Sequence, residues 1–320
     1  MAKQAVLLLA HGSPESVAQI PEYLTHVTGG RPMPPAAVRE VERRYGLIGH
    51  SPLTGITLDL ARLVEAKLAA DGVAAPVYVG MRNWHPFIVE ALKAMRADGI
   101  EEAAVLCMAP QNSRTSVGLY RRAVEAAADG VRIDFTAGWG RHPLLIEAFA
   151  ERLRLAWTKL IAEAGSPVPV IFTAHSVPLR TVEPGESDAP ADSYADEARE
   201  TAALVAACVP EIATWRFAFQ SQGMSGGRWL GPTVEETIEE LAASGAKTLL
   251  VQPVGFLCDH VEILYDVDIA FREYAAKRGL RLERTESLNT SGTLVQAIAD
   301  LARQGLQRLQ MPLHGLPAQS

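Results

Sequence analysis

Short apolar runs alternate with longer stretches of helical period along the whole chain. AVLLLA (5–10), APVYVG (75–80), EAAVLCMA (102–109) and VRIDFTA (131–137) have the length and composition of strands. PVPVIFTA (167–174), WRFAFQ (215–220), KTLLVQPV (247–254) and LRLERT (280–285) repeat the pattern in the second half. Between them, LDLARLVEAKLAADG (58–72) and VEETIEELAASG (234–245) carry apolar residues near every 3.6 positions and close on Gly72 and Gly245. Glycine there suits a left-handed helix cap. Strand–helix alternation predicts parallel sheets covered by helices on both faces.

The two halves also echo each other. LLLAHGSP (7–14) and IFTAHSVP (171–178) share an apolar strand, then Ala-His, then Pro. The echo predicts two related βαβ lobes, the first over residues 1–137 and the second over 138–290. A helix over 291–309 can pack back on either, the first lobe included. The polar, turn-rich stretch 181–197 is expected to be a surface loop, as is the glycine-rich stretch 223–232.

Composition narrows the function. The 320 residues are 48% hydrophobic and carry a net charge of −7. No basic footprint for nucleic acid is present, and the scattered Lys and Arg give no grip on an anionic membrane. Cys107, Cys208 and Cys258 stand far apart, which excludes zinc-ribbon and iron–sulfur spacings and suits a reducing compartment. The N-terminus has no signal-peptide core, and no apolar run is long enough to span a bilayer. A cytoplasmic protein is expected.

In open α/β sheets, ligands bind beyond the carboxyl ends of strands. His11, His175 and His260 follow such ends. One histidine there is ordinarily a structural hydrogen-bonder; three point to a shared site. The segment QPVGFLCDHVEILYDVD (252–268) adds Asp259, His260, Glu262, Asp266 and Asp268 to an otherwise apolar stretch. Read as a helix over 259–270, it offers Asp259 as N-cap and puts Asp259, Glu262 and Asp266 on one stripe. Capping and the helix dipole account for Asp259 and Glu262 but not for Asp266 and Asp268. A divalent metal or a proton relay accounts for all of them; a solvated helix face is the plain alternative. Nucleotide-binding and metalloprotease motifs are absent, as is a serine nucleophile elbow.

Five segments, in order, resemble the ferrochelatases, lyases that insert Fe²⁺ into a porphyrin. They are YGLIGHSPL (45–53), FTAHSVP (172–178), RWLGPTVEETIEEL (228–241), GFLCDHVEILYDVD (255–268) and ESLNTSGTLVQAIADL (286–301). The resemblance implies a class II chelatase-like fold: two Rossmann-like lobes, each a four-stranded parallel sheet flanked by helices, with the active site in the cleft between them. It implies that His175 and Glu262 are the facing catalytic pair and bind the metal; His11, an imidazole where one bacterial branch often has Tyr, is a further candidate metal ligand. Asp259, His260, Asp266 and Asp268 would form an acidic track or outer support. Fe²⁺ is then the substrate metal, with no iron–sulfur cluster and no nucleotide.

YLTHVTGGRPMPP (23–35), VGMRNWHPFI (79–88) and MAPQNSRTSVGLYRRA (108–123) are most similar to the bacterial coproporphyrin III branch. Residues 28–38 are short and not very apolar, which also favours a more water-soluble porphyrin and no integral membrane association. Arg44, Tyr45, Ser51 and Tyr120 match porphyrin-contacting positions of that branch, with Arg31 and Arg82 as additions. The implied product is coprohaem for haem biosynthesis. The implied partners are coproporphyrin III and Fe²⁺ and no nucleic acid, with the chain a monomer in transient contact with neighbouring haem-pathway enzymes. The sequence departs from the branch at His11, where Tyr is frequent, in the shorter GHSP loop, and at Ala270, where an acid is frequent. The alternatives are a protoporphyrin IX ferrochelatase, a sirohydrochlorin cobalt or nickel chelatase, and a non-catalytic porphyrin or haem carrier.

Overall fold

Among the described residues, eight strands form two separate four-stranded sheets, and every strand pairing within them is parallel. The computed structural model describes residues 2–183, 192–223 and 227–311. Parts of the expected loops, 184–191 and 224–226, lie outside these. The first sheet has the order β2-β1-β3-β4, with β1 Gln4–Ala10, β2 Val77–Met81, β3 Glu102–Cys107 and β4 Arg132–Thr136. The second repeats that order as β6-β5-β7-β8, with β5 Val170–His175, β6 Trp215–Gln220, β7 Thr248–Pro253 and β8 Arg281–Arg284.

Helices fill the crossovers. α1 (Ile20–Val27), α2 (Pro35–Ile48) and α3 (Leu53–Ala70) join β1 to β2; α4 (Ile88–Ala97) and α5 (Val117–Ala127) complete the first unit. α6 (Pro143–Ala164) crosses to β5, and α7 (Tyr194–Ala207) and α8 (Val234–Ala243) follow β5 and β6. After β7 come α9 (Val261–Leu264), a π-helical turn over Asp266–Phe271 and α10 (Arg272–Ala276). α11 (Gly292–Gln310) packs on β1, β3 and β4 and against α3 and α6.

The strand period explains the layering. Val6 and Leu8 of β1 join Val170 and Phe172 of β5 and Leu250 of β7 in one core shared by both sheets. Leu7 and Leu9 turn the other way, into a core with Leu92 and Val124. Strands buried on both faces need near-continuous apolar runs, and residues 5–9 are fully buried. On α11, Gly305 lets the helix approach β3, because a Cβ there would sit 2.8 Å from that of Ala104. Arg308 fixes it with a two-point ion pair to Asp134 of β4, at 2.9 and 2.7 Å.

The segment after β7 departs from the expected helix over 259–270. Helix begins only at Val261, and its N-cap is His260, whose Nδ1 accepts the Glu262 N–H at 3.2 Å. Asp259 is not the cap, because its carboxylate is taken by Ser287 (2.7 Å), Asn289 (2.9 Å) and Arg284 (3.0 Å). The wider π turn keeps Ile263, Val267 and Phe271, spaced by four, all in one core. Asp259 lies before the helix and Asp266 in the π turn, so the expected stripe of Asp259, Glu262 and Asp266 does not form. Such turns recur at functional sites.

Candidate active site

Because both sheets are parallel, each gathers its carboxyl ends at one edge, and the two edges enclose a cavity of about 380 Å³. That volume suits a small-molecule site. His11, Gly12 and Ser13 enter it after β1, Arg82 after β2, and Gln111 and Ser113 after β3. His175 ends β5, and Phe256, His260 and Glu262 follow β7. Helices add Tyr23, Tyr45, Tyr120 and Tyr194.

The centre is a pair. His175 Nε2 lies 3.3 Å from Glu262 Oε1. His175 Nδ1 pairs with the Ser176 carbonyl, so Nε2 is the nitrogen left for Glu262 and the cavity. The backbone beneath is pinned: Tyr194 donates its hydroxyl to the His175 carbonyl at 2.8 Å, and the Ser176 N–H donates to the Gln220 carbonyl at 2.7 Å. The same Gln220 donates its side-chain amide to the Glu262 carbonyl at 2.9 Å and accepts from Thr173 at 2.6 Å. One buried glutamine thus spans both members of the pair.

Two glycines admit these strand ends. A Cβ on Gly255 would lie 2.7 Å from the Ala174 Cβ and 2.8 Å from its Cα, directly before His175. Gly255→Ala is therefore expected to push on the β5 end and destabilise the fold by about 1–3 kcal/mol. Urea unfolding measures this, and an unchanged midpoint would contradict the close approach. Gly12, at φ +79°, would collide with Met81 and Trp84 at 2.9 Å.

The charges separate by environment. Desolvation in the cavity pushes Glu262 up, but the charge and hydrogen bond of His175, with His260 and His11 beyond, outweigh it and hold the carboxyl at about 2. Desolvation likewise pulls His175 down, and Glu262 overrides it, so His175 ends raised. His11 falls to about 3 through burial and then the nearby Arg82 charge. His260 is lowered, chiefly by burial. His11 and His260 are thus neutral imidazoles at neutral pH, while Glu262 is an anion. Burial pushes the Cys258 thiol, also in the cavity wall, to about 12, so no thiolate competes for metal.

Of the remaining expected site residues, Tyr45, Ser51, Arg82 and Tyr120 line the cavity. The Arg82 guanidinium lies 5.2 Å from the Tyr120 ring centre. Its Nη1, with Ser13 Oγ and Ser51 Oγ, is buried without a hydrogen-bond partner. His11 Nε2 is 3.0 Å from the Tyr23 hydroxyl, and the Asn83 amide nitrogen is 3.1 and 3.2 Å from its two ring nitrogens.

Five expected residues face elsewhere. Arg31 is exposed and donates to the Thr28 carbonyl at 3.1 Å. Arg44 pairs with Glu40 at 2.9 Å and Asp266 at 3.3 Å, and its guanidinium lies 4.8 Å from the Tyr265 ring centre. Asp259 and Asp268 both pair with Arg284. Asp266 is buried and accepts from Ser221; burial and the Glu262 charge raise it to about 6. The acids after Glu262 are therefore held by partners rather than open to the cavity. Among the described residues, no group of three or more His, Cys, Asp and Glu is arranged to hold a metal ion. Ser13, Gln111, Tyr23, Tyr194 and Trp229 line the cavity beyond the expected site residues; Ser13 and Gln111 stand just past β1 and β3, and Tyr23, Gln111 and Trp229 lie in segments that carry the resemblance.

Comparison with known proteins is consistent across the chain. A family model described as Ferrochelatase matches residues 3–306. A ferrochelatase from Acidobacterium capsulatum is 54% identical, with 99% of each chain covered. A coproporphyrin III ferrochelatase from Mycolicibacterium vanbaalenii is 34% identical over 94% of this chain and 89% of that one. Among solved structures, the sirohydrochlorin chelatase of Bacillus subtilis subspecies spizizenii, in complex with cobalt, superposes with a TM-score of 0.56. It covers 96% of both chains at 13% identity, a likeness of fold, that of the class II chelatases. No described helix is long and apolar enough to cross a membrane.

Proposed function

The chain belongs to the ferrochelatase family, and on that premise we propose that its porphyrin is coproporphyrin III and that His175 and Glu262 carry the metallation. The observation that carries this reading is the isolated His175–Glu262 pair, at 3.3 Å, inside a cavity built from both sheets.

Metallation exchanges two pyrrole protons for one Fe²⁺. Two protein donors suit that exchange, because a closed cage would retain the metal that the pyrrole nitrogens must take over. His175 Nε2, turned to the cavity, receives the iron or a pyrrole proton. Glu262, ionised through the neutral range, does the complementary task and stabilises positive charge as it arrives. Gln220 holds the two backbones in register, so the separation does not have to be organised anew in each cycle.

The substrate choice rests on polarity. Arg82, Ser13 and Ser51 line the cavity, and carboxylates are the acceptors that a guanidinium binds best. A tetracarboxylate porphyrin supplies more of them than a dicarboxylate one. Relatives named coproporphyrin III ferrochelatases support the same choice. The test is a comparison of kcat/KM for coproporphyrin III and protoporphyrin IX with Fe²⁺ under anaerobic conditions. A preference for coproporphyrin III is expected; a preference for protoporphyrin IX overturns the substrate and leaves the family intact. Three free thiols accord with a reducing cytoplasm.

His11 is assigned to the metal side of the ring. Burial keeps its imidazole neutral, as an axial ligand of product haem must be. His11→Tyr is expected to turn over within about tenfold of wild type, since the acid–base pair is intact, and to change the visible spectrum of bound product. An unchanged spectrum would remove His11 from the iron.

A further inference from the structure

Four carboxylates crowd the segment 259–268, yet one side chain disposes of two. Arg284 ends β8 with its side chain only 13% exposed. Its Nε and Nη2 donate to the two oxygens of Asp268 at 2.8 and 2.9 Å. Nη2 also lies 3.0 Å from Asp259 Oδ1. Nη1 donates to the Thr285 carbonyl at 2.9 Å. Asp259 sits three residues before Glu262 and Asp268 six after it, so one guanidinium ties down both flanks of the segment that carries the catalytic carboxylate.

The geometry points to Arg284 as a positioning residue for metallation, holding Glu262 opposite His175 by clamping Asp259 and Asp268. This inference rests on the roles given above to His175 and Glu262. Arg284 does not line the cavity and touches neither member of the pair. It acts through the backbone. On one side, Asp259 is further fixed by Ser287 and by a reciprocal pair with Asn289, whose Oδ1 accepts the Asp259 N–H at 2.9 Å. His260 then caps the short helix on which Glu262 rides. On the other side, Asp268 sits inside the π turn, and its tether sets where that turn leaves α9. A planar fork can serve two carboxylates at once, whereas an ammonium is a single point charge on a flexible stem. The clamp also keeps two anions from competing with Glu262 for the incoming cation.

The test compares Arg284→Lys with a triple variant, Asp259→Asn/Arg284→Gln/Asp268→Asn, in which the three charges leave together and no carboxylate is stranded. Steady-state metallation, porphyrin KM and thermal melting are measured for each, beside Glu262→Gln. Both variants are expected to lose about 10- to 100-fold in kcat, as for a catalytic group displaced by about 1 Å, with KM for the porphyrin within about threefold of wild type. The lysine variant should lie nearer to wild type. If the triple variant does not fold, Arg284→Lys alone decides. Wild-type kcat in the folded variants, or a fall in kcat matched by a general rise in KM, overturns the positioning role. Glu262→Gln separates the two levels. If it is slow while the Arg284 variants turn over normally, only this inference fails; if it keeps wild-type turnover, the assignment of the pair fails and takes the clamp with it.

Discussion

His175→Ala is expected to lower kcat for porphyrin metallation by about 100- to 10,000-fold, the range for losing a positioned acid–base group. Porphyrin affinity should change little. The side chain meets the neighbouring Ser176 carbonyl, Glu262 and the edge of the Phe256 ring, 6.4 Å between centres. The loop around it is held by other groups: Tyr194 on the His175 carbonyl, the Gln220 carbonyl on the Ser176 N–H, and the Ser176 hydroxyl on the Leu230 carbonyl at 2.9 Å. Truncation at Cβ therefore leaves the cavity walls standing. Fluorescence titration with metal-free coproporphyrin III and an anaerobic rate assay separate binding from chemistry. Normal turnover would remove His175 from the mechanism.

Glu262→Gln is the complementary change, expected to slow metallation by about 100-fold or more while leaving the porphyrin KM within about threefold. Volume is conserved and the backbone carbonyl that Gln220 holds is untouched. What disappears is the charge. Glu262 is the main influence that raises His175 against desolvation, so the amide also lowers the proton affinity of the imidazole. The pair should fail together, and His175→Ala/Glu262→Gln should be little slower than the worse single variant. Full additivity in a double-mutant cycle would contradict a coupled pair.

The fold was legible because its signals are local. Eight short apolar runs separated by 3.6-period segments are what two parallel sheets require, and runs such as residues 5–9 are buried on both faces as such strands must be. The positions of His11, His175 and His260 followed from the rule that ligands bind beyond strand carboxyl ends, and Glu262 from the resemblance to the ferrochelatases. The acidic segment was harder. A uniform helix over 259–270 puts Asp259, Glu262 and Asp266 on one stripe, but cap choice and π register depend on partners far away in sequence. Asp259 is satisfied by Arg284, Ser287 and Asn289, and Asp266 by Arg44 of α2 and Ser221. Nothing in the spacing of 259–268 encodes those contacts. Arg44 was misplaced for the same reason, since its ion pairs draw it away from the cavity. Gln220, which spans the pair, lay unremarked at the end of an ordinary strand.

The central claim is that this cleft catalyses metallation. The most direct test is an anaerobic time course with enzyme far below coproporphyrin III and Fe²⁺, following the visible bands of free and metallated ring. Conversion of many equivalents of porphyrin per protein, abolished by His175→Ala, is the predicted result. Tight binding of one equivalent with no metallation beyond the uncatalysed rate would contradict it and leave the cleft a porphyrin carrier.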